Sequence, residues 1–285
     1  MKTVVITGAS TGIGRATAEY FANKGWTVFA GVRKEEDGAA LKASASGDLR
    51  PILLDVAKPD HVDAAVVEVE KALDGKTLTG LVNNAGIANM GPLALQPLDE
   101  FQSHFDVNVF GLLRTTQAFL PLLGMDTDRT GSPGRIVNIT SVGGKLSAPF
   151  LGAYTATKHA VEAMTDSLRR ELVVYGIDAI AVGPGAVKTP IWDKAEQRNE
   201  SGPYSNTRWS TSIDRFEQVM LDGGRTGLEP QTIARVIETA LSDASPKARY
   251  APVPNKLTNF TIPTRLPKRW VDKIFWGRFD LKPAD

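Results

Sequence analysis

The chain has 285 residues with 33 basic against 32 acidic side chains, no cysteine and three histidines. That length fits one large α/β domain or two small ones, and the balanced charge leaves no electrostatic footprint for nucleic acid. Disulfides and thiolate chemistry are excluded. His61, His104 and His159 lie far apart and form no metal motif, so no metal is expected. No run of 18 apolar residues exists to span a bilayer, and the opening MKTVVITGAS is too short and too glycine-broken for a signal peptide. A cytoplasmic protein is expected.

In chain order, short apolar runs rich in β-branched residues alternate with segments of helical period. Strands are expected at 3–7, 27–32, 51–55, 80–83, 135–140 and 177–182, and helices at 13–24, 60–73, 99–123 and 152–175. Near-continuous apolar strands separated by helices predict a parallel sheet covered on both faces, one doubly wound Rossmann-type domain. The polar segment 124–134 reads as an exposed loop. Beyond residue 185 the alternation fades through a long mixed section, and a helix at 229–243 and a short strand at 248–253 follow. We place the domain at 1–255 and an amphipathic tail at 256–285.

The first strand runs into TGASTGIG, where Gly8, Gly12 and Gly14 precede a helix. Glycine lets the backbone approach a pyrophosphate, and the helix N-terminus offers free N–H groups and a positive dipole end. Asp55 falls at the end of the third strand. In VNNAG, residues 82–86, two asparagines and a glycine fall at the end of the fourth, the edge where open α/β sheets bind ligands. Buried asparagines there need partners, and bridging neighbouring strands is one natural role.

Tyr154 and Lys158 are four residues apart in AYTATKHAVEAM and so share one helix face. Such a pair arises too often by chance to carry weight alone. A free phenol, with a pKa of about 10, is a poor base at neutral pH. An ammonium roughly 5 Å away contributes about 3 kcal/mol at an effective dielectric of 20, or about two pKa units downward. Ser141 ends the fifth strand, 13 residues before the tyrosine, and its hydroxyl can orient a substrate oxygen.

In order and at workable spacing, TGASTGIG, NNAG, Asn108 in NVFG, Ser141, Tyr154-x-x-x-Lys158 and PGAVKT resemble the classical short-chain dehydrogenase/reductase family over residues 2 to about 190. The stretches 139–177 and 184–192 are similar to its retinol, steroid and hydroxybutyrate dehydrogenase branch. The resemblance implies a catalytic set of Asn108, Ser141, Tyr154 and Lys158, with Asn108 kinking its helix and placing a water between Lys158 and solvent. It implies cofactor contacts from Gly8, Ser10, Thr11, Gly12, Ile13, Gly14, Arg33, Asp55, Val56, Asn83, Ala85, Gly86, Tyr154, Lys158, Pro184, Gly185, Val187 and Thr189. Lys158 would also hydrogen-bond the nicotinamide ribose.

After the second strand, Val32 stands where an acid would hold a free ribose hydroxyl, and Arg33 and Lys34 follow. An arginine pairs bidentately with a phosphate, so NADP(H) is expected, with NAD(H) possible. The resemblance implies a substrate lid at about 186–228, after the PG turn; its Ile191, Trp192, Trp209, Ile213 and Phe216 suit an apolar substrate, or else pack the lid on the domain. A lipophilic alcohol/ketone pair or aldehyde (steroid-, retinoid- or xenobiotic-like) is expected. A short hydroxy acid with NAD, or a non-catalytic nicotinamide-sensing protein, are the alternatives. By analogy with the family, the helices 99–123 and 152–175 would build a homodimer or homotetramer. In the tail, Trp270, Val271, Ile274 and Phe275 are expected to share one face, with Leu266 and Phe279 at its ends. The expectation is that this face packs on the enzyme, membrane contact being the lesser reading.

Overall fold

The computed structural model describes residues 2–189 and 204–282; Ile191 and Trp192 lie outside them. Seven strands pair in parallel in the order β3-β2-β1-β4-β5-β6-β7. They are β1 Thr3–Ile6, β2 Thr27–Val32, β3 Leu49–Leu53, β4 Gly80–Asn83, β5 Arg135–Ile139, β6 Asp178–Val182 and β7 Arg249–Tyr250. The first six match the apolar runs read from the sequence.

Side chains alternate across the sheet, so Val4 and Ile6 enter one core layer and Val5 the other. Helix α1 (Gly12–Asn23) and α2 (Glu35–Ser44) contribute Phe21 and Leu41 to the first layer. Helix α3 (Pro59–Leu73) fills the second layer with Val62, Ala65, Val69 and Leu73, spaced every three or four residues. Helix α2 had no clear helical period in the sequence, and it buries only Gly38 and Leu41.

The expected helix 99–123 is α4 (Leu98–Phe105), a π-helical stretch at Asp106–Gly111 and α5 (Leu112–Phe119). The wider turn accommodates Asn108, which is 1 % exposed. Helix α6 (Gly152–Glu171) continues into a 3₁₀ turn at Leu172–Tyr175. Helices α7 (Ser210–Thr226), α8 (Pro230–Ser242) and α9 (Lys268–Phe279) complete the described chain. β7 is shorter than the expected 248–253 because Pro252 and Pro254 offer no N–H to a ladder. The loop 124–134 is mostly exposed, but Arg129 is tucked into ion pairs with Glu70 and Asp126.

The tail packs by a face rotated from the expected one. Val271, Phe275 and Phe279 join Ile213 and Phe216 of α7 and Phe150 in a separate apolar cluster, and Trp270 and Ile274 are exposed. Burying positions 271, 275 and 279 turns 270 and 274 outward.

Candidate active site

The chain passes from β1 to β2 and β3 on one side, then returns to β4 on the other. The crevice beyond the C-terminal ends of β1 and β4 is therefore the topological switch point. The glycine turn sits there. Gly8 has φ +64°, and a Cβ on it would lie 2.8 Å from the Cα of Ala85. A Cβ on Gly14 would stand 2.2 Å from the carbonyl oxygen of Gly8. The backbone thus forms a cradle that side chains would fill.

Thr7, which the sequence reading passed over, and Asn84, which it noted only as one of two strand-end asparagines, fix this cradle. Thr7 Oγ1 accepts from the backbone N–H groups of Asn84 and Ala85, each at 3.0 Å. Asn84 Nδ2 donates to the carbonyls of Thr7 (2.9 Å) and Gly8 (3.0 Å). The doublet NNAG was the available signal. Its first member, Asn83, bridges strands as expected, donating to Thr116 Oγ1 and Asn138 Oδ1 at 2.9 Å.

Thr11 precedes α1 without capping it, so the first-turn N–H groups gain no bond from that side chain. Ser10 and Ile13 are half-buried beside it, and Ile13 packs on the first core layer. Thr189 arrives from PGAVKT so closely that a Cβ on Gly12 would meet its Cγ2 at 3.2 Å. Upstream in that segment, Pro184 accepts from the N–H of Val142, Gly185 donates to Pro252, and Val187 bridges to Leu228.

Asp55 lies two residues past β3, where Oδ1 accepts from the N–H of Ala57 at 3.1 Å. Val56 is buried, and its carbonyl accepts from Arg114 at 2.8 Å. At the end of β2, Arg33 is exposed and makes no hydrogen bond or ion pair with the described residues, whereas Lys34 pairs with Glu36 at 3.2 Å. No carboxylate stands at Val32. A free guanidinium beside this strand end, with a glycine cradle and a helix N-terminus, fits a dinucleotide carrying phosphates.

The reactive side chains converge from three elements. Ser141 follows β5 and its Oγ accepts from the N–H of Gly143 at 3.0 Å. Tyr154 and Lys158 share one face of α6, with Nζ 5.7 Å from the phenol ring centroid. Nζ donates to the carbonyl of Ile139 at 2.8 Å. Asn108 is held by its whole amide: Oδ1 accepts from the N–H of Ile87 at 2.8 Å. Its Nδ2 donates to the Ile87 carbonyl at 2.9 Å and to Thr157 Oγ1 at 3.0 Å. A Cβ on Gly86 would meet Asn108 Oδ1 at 3.2 Å and Lys158 Nζ at 3.8 Å, which places NNAG at this centre.

The electrostatics correct one expectation. Burial pushes the Tyr154 phenol above its ordinary value, and its hydrogen bond with Ser141 only partly opposes this. Burial also lowers Lys158 to about 8, with the Glu162 carboxylate working against the fall. The net shift of the phenol is thus upward rather than downward, because burial disfavours the charged phenolate. At neutral pH the phenol therefore holds its proton, and the lysine exchanges one at about pH 8.

Sequence reasoning also passed over a buried ionic network below this centre. Glu162 is one turn beyond Lys158 and 6 % exposed. It accepts from Thr140 Oγ1 at 2.6 Å and pairs with Lys145 at 3.2 Å. Arg249 of β7, which also pairs with Glu162, reaches the Ser141 carbonyl at 3.4 Å and lies over the ring of Phe260. His104, wholly buried, is structural: Nε2 accepts from the N–H of Asn89 at 3.0 Å while Nδ1 faces the Glu100 carbonyl at 2.8 Å.

The lid's Ile213 and Phe216 are buried against Phe150 and Phe279, with Trp209 packed at the margin. Ile213 and Phe216 thus hold the lid in place. Met90, Leu151 and Tyr204 line the same cluster, and a Cβ on Gly91 would strike the Tyr204 ring.

Residues 2–200 match the family model described as short chain dehydrogenase. The chain is 37 % identical over 282 residues to an NADPH-dependent 3-dehydrocapnine reductase of Ornithobacterium rhinotracheale, covering 99 % of this chain and 98 % of that one. It is 38 % identical over 260 residues to dehydrogenase/reductase SDR family member 9 of Homo sapiens, covering 88 % and 79 %. A crystal structure of a short-chain dehydrogenase from Streptomyces avermitilis superposes with a TM-score of 0.77 at 28 % identity, covering 98 % and 97 %. The chain belongs to the classical short-chain dehydrogenase/reductase family, as an NAD(P)-dependent oxidoreductase acting on alcohol and ketone substrates.

Proposed function

We propose that this enzyme reduces a lipophilic ketone or aldehyde with NADPH, using Ser141, Tyr154 and Lys158, with Asn108 as their support. The observation that carries the reading is the placement of the Tyr154 phenol beside Ser141 and Lys158, whose Nζ is 5.7 Å from the phenol ring and 3.8 Å from a Cβ built on Gly86 of NNAG. The glycine turn at residues 8–14 and Arg33 would hold a reduced nicotinamide dinucleotide, which would supply the hydride for reduction of the carbonyl. Ser141 donates a hydrogen bond to the substrate oxygen and orients it. Tyr154 then gives its proton to that oxygen as charge develops there. Lys158 stabilises the phenolate left behind and, with a pKa lowered to about 8, returns a proton to it. Asn108 fixes α6 against the backbone at Ile87, which keeps Lys158 in register.

For the cofactor, the unpaired Arg33 would take a ribose 2′-phosphate, and no carboxylate at position 32 repels one. The NADPH dependence named for the 37 %-identical reductase supports the same choice. Met90, Phe150, Leu151 and Tyr204 offer apolar wall to a substrate near Tyr154. The exposed Phe110, beside Phe101 and Phe105, provides an apolar face for a homodimer or homotetramer.

Absorbance at 340 nm with NADPH or NADH and a panel of lipophilic ketones and short keto acids tests this. Oxidation of NADPH by the ketones, abolished in Tyr154→Phe, is the expected result. Turnover of keto acids with NADH alone would overturn it.

A further inference from the structure

The segment from Lys256 to Phe279 holds six of the chain's 33 basic residues and one of its 32 acidic ones. That single acid, Asp272, is paired with Arg269 at 3.4 Å. A chain of net charge +1 thus concentrates a net +5 in one short stretch, and everything else is net negative.

Helix α9 in this stretch is used on both sides. Val271, Phe275 and Phe279 bury against α7. On the opposite side Trp270, Lys273, Ile274 and Gly277 recur at helical spacing, with Trp276 and Arg269 flanking them. Trp270 is 62 % exposed, Ile274 51 % and Trp276 43 %, and a Cβ on Gly277 would meet nothing within 4 Å. Two indoles and an isoleucine among cations do not form an ordinary solvated face. A symmetric contact with a second copy would set this cationic patch against itself. Indoles with their N–H groups are suited to a headgroup boundary, and lysine and arginine to lipid phosphates.

We propose that the outer face of α9 docks the enzyme on an anionic bilayer surface. Trp270, Ile274 and Trp276 enter the headgroup boundary, and Lys268, Arg269 and Lys273 pair with phosphates. Among the described residues no helix is long and apolar enough to cross a membrane, so the contact is interfacial. Because the inner face of α9 grips α7, docking would hold the substrate lid against lipid. That last link rests on the lipophilic-substrate reading; docking itself does not.

The test is co-sedimentation of the full chain with phosphatidylcholine vesicles, with and without phosphatidylglycerol, at low and high salt. The expected result is binding to the phosphatidylglycerol vesicles only, weakened by salt. Trp270→Ser with Ile274→Ser, or Lys268→Glu with Lys273→Glu, should each lower partitioning about tenfold or more. Melting temperature and turnover of a water-soluble ketone should stay at wild-type values. Absence of wild-type binding, or binding that both double variants retain, overturns the proposal. So does a concentration-dependent dimer that only the Trp270/Ile274 variant loses, which would assign the face to a second copy. Vesicle binding by a protein that turns over no ketone would sink the functional reading and leave docking intact.

Discussion

Arg249 of β7 sets its Nε 2.9 Å from both carboxylate oxygens of Glu162, one helical turn past Lys158. This places a buried ion pair directly beneath the Ser141 turn. The last strand of the sheet is thereby tied to the reactive centre, and the negative charge of Glu162 favours the ammonium of Lys158.

Glu162→Gln tests that coupling while keeping the shape and the ability to accept from Thr140 and Arg249. Without the carboxylate, Lys158 should fall further below about 8, because desolvation then acts less opposed. Reduction needs the proton that Tyr154 and Lys158 hold between them, so its rate should fall as pH rises past the apparent pKa of the pair. The variant should move that basic limb of kcat to lower pH. A profile that only drops in height, with its midpoint fixed, would leave Glu162 a purely structural role. Arg249→Ala is the harsher change: it leaves the buried carboxylate with only Lys145 and Thr140 as partners, at up to about 3–5 kcal/mol of stability.

Lys158 itself should weigh on stability. Its pKa of about 8 in the folded chain lies below the ordinary 10.5, so between those values the unfolded chain binds more protons than the folded one. Stability therefore rises as pH climbs from about 8 to 10.5, and the burial penalty stands in full below 8. Lys158→Met removes it, at the loss of the hydrogen bond to Ile139. At pH 7 the variant should be inactive yet more stable, by up to about 3 kcal/mol, with the gain vanishing near pH 11. Denaturant unfolding at the two pH values checks this; an equal or lower stability at pH 7 contradicts it.

Cofactor preference should follow the end of β2. Val32→Asp with Arg33→Leu adds repulsion toward a 2′-phosphate and deletes the unpaired guanidinium. The ratio of kcat/KM for NADPH over NADH should fall by about tenfold or more, the scale of one charged hydrogen-bonded contact. An unchanged ratio means that the phosphate is read elsewhere.

The sheet was legible because its central strands are nearly continuous buried runs, as a parallel sheet covered on both faces needs, whereas β3 at one edge carries Arg50 and Pro51. The spacing of Ser141, Tyr154 and Lys158 was equally plain, since each is fixed by a strand end or a helical turn. The polar scaffold was less visible. Thr7, Asn84 and Thr157 act through hydrogen bonds that reach across the fold, and Glu162 meets Arg249 across 87 residues. No local period announces such pairings. The phenol's upward shift was hidden for a related reason: charge spacing can be read along a helix, but desolvation depends on what other elements cover it. The rotated tail face has the same origin, because helical spacing in α9 allowed more than one apolar stripe, and contact with α7 selected 271, 275 and 279.

Phe279 offers a way to ask whether the tail governs the lid. Its ring lies 5.1 Å from that of Phe216 at 63°, and Phe216 in turn meets Phe150 at 5.7 Å and 71°, four residues before Tyr154. This edge-to-face series runs from tail to lid to active site, outside the two core layers that hold the sheet. Phe279→Ala opens a cavity worth about 3–5 kcal/mol, a loss that should fall on α7 and α9 rather than on β1–β6. Hydrogen exchange should therefore accelerate in 204–226 and 268–279 while the strands keep their protection. KM for the ketone should rise several-fold with a smaller change in kcat, because the lid is loosened while Tyr154 and Lys158 stay in register on α6. If exchange instead rises evenly across the sheet, the tail supports the whole domain. If KM stays at the wild-type value with the tail loosened, the lid does not depend on Phe279.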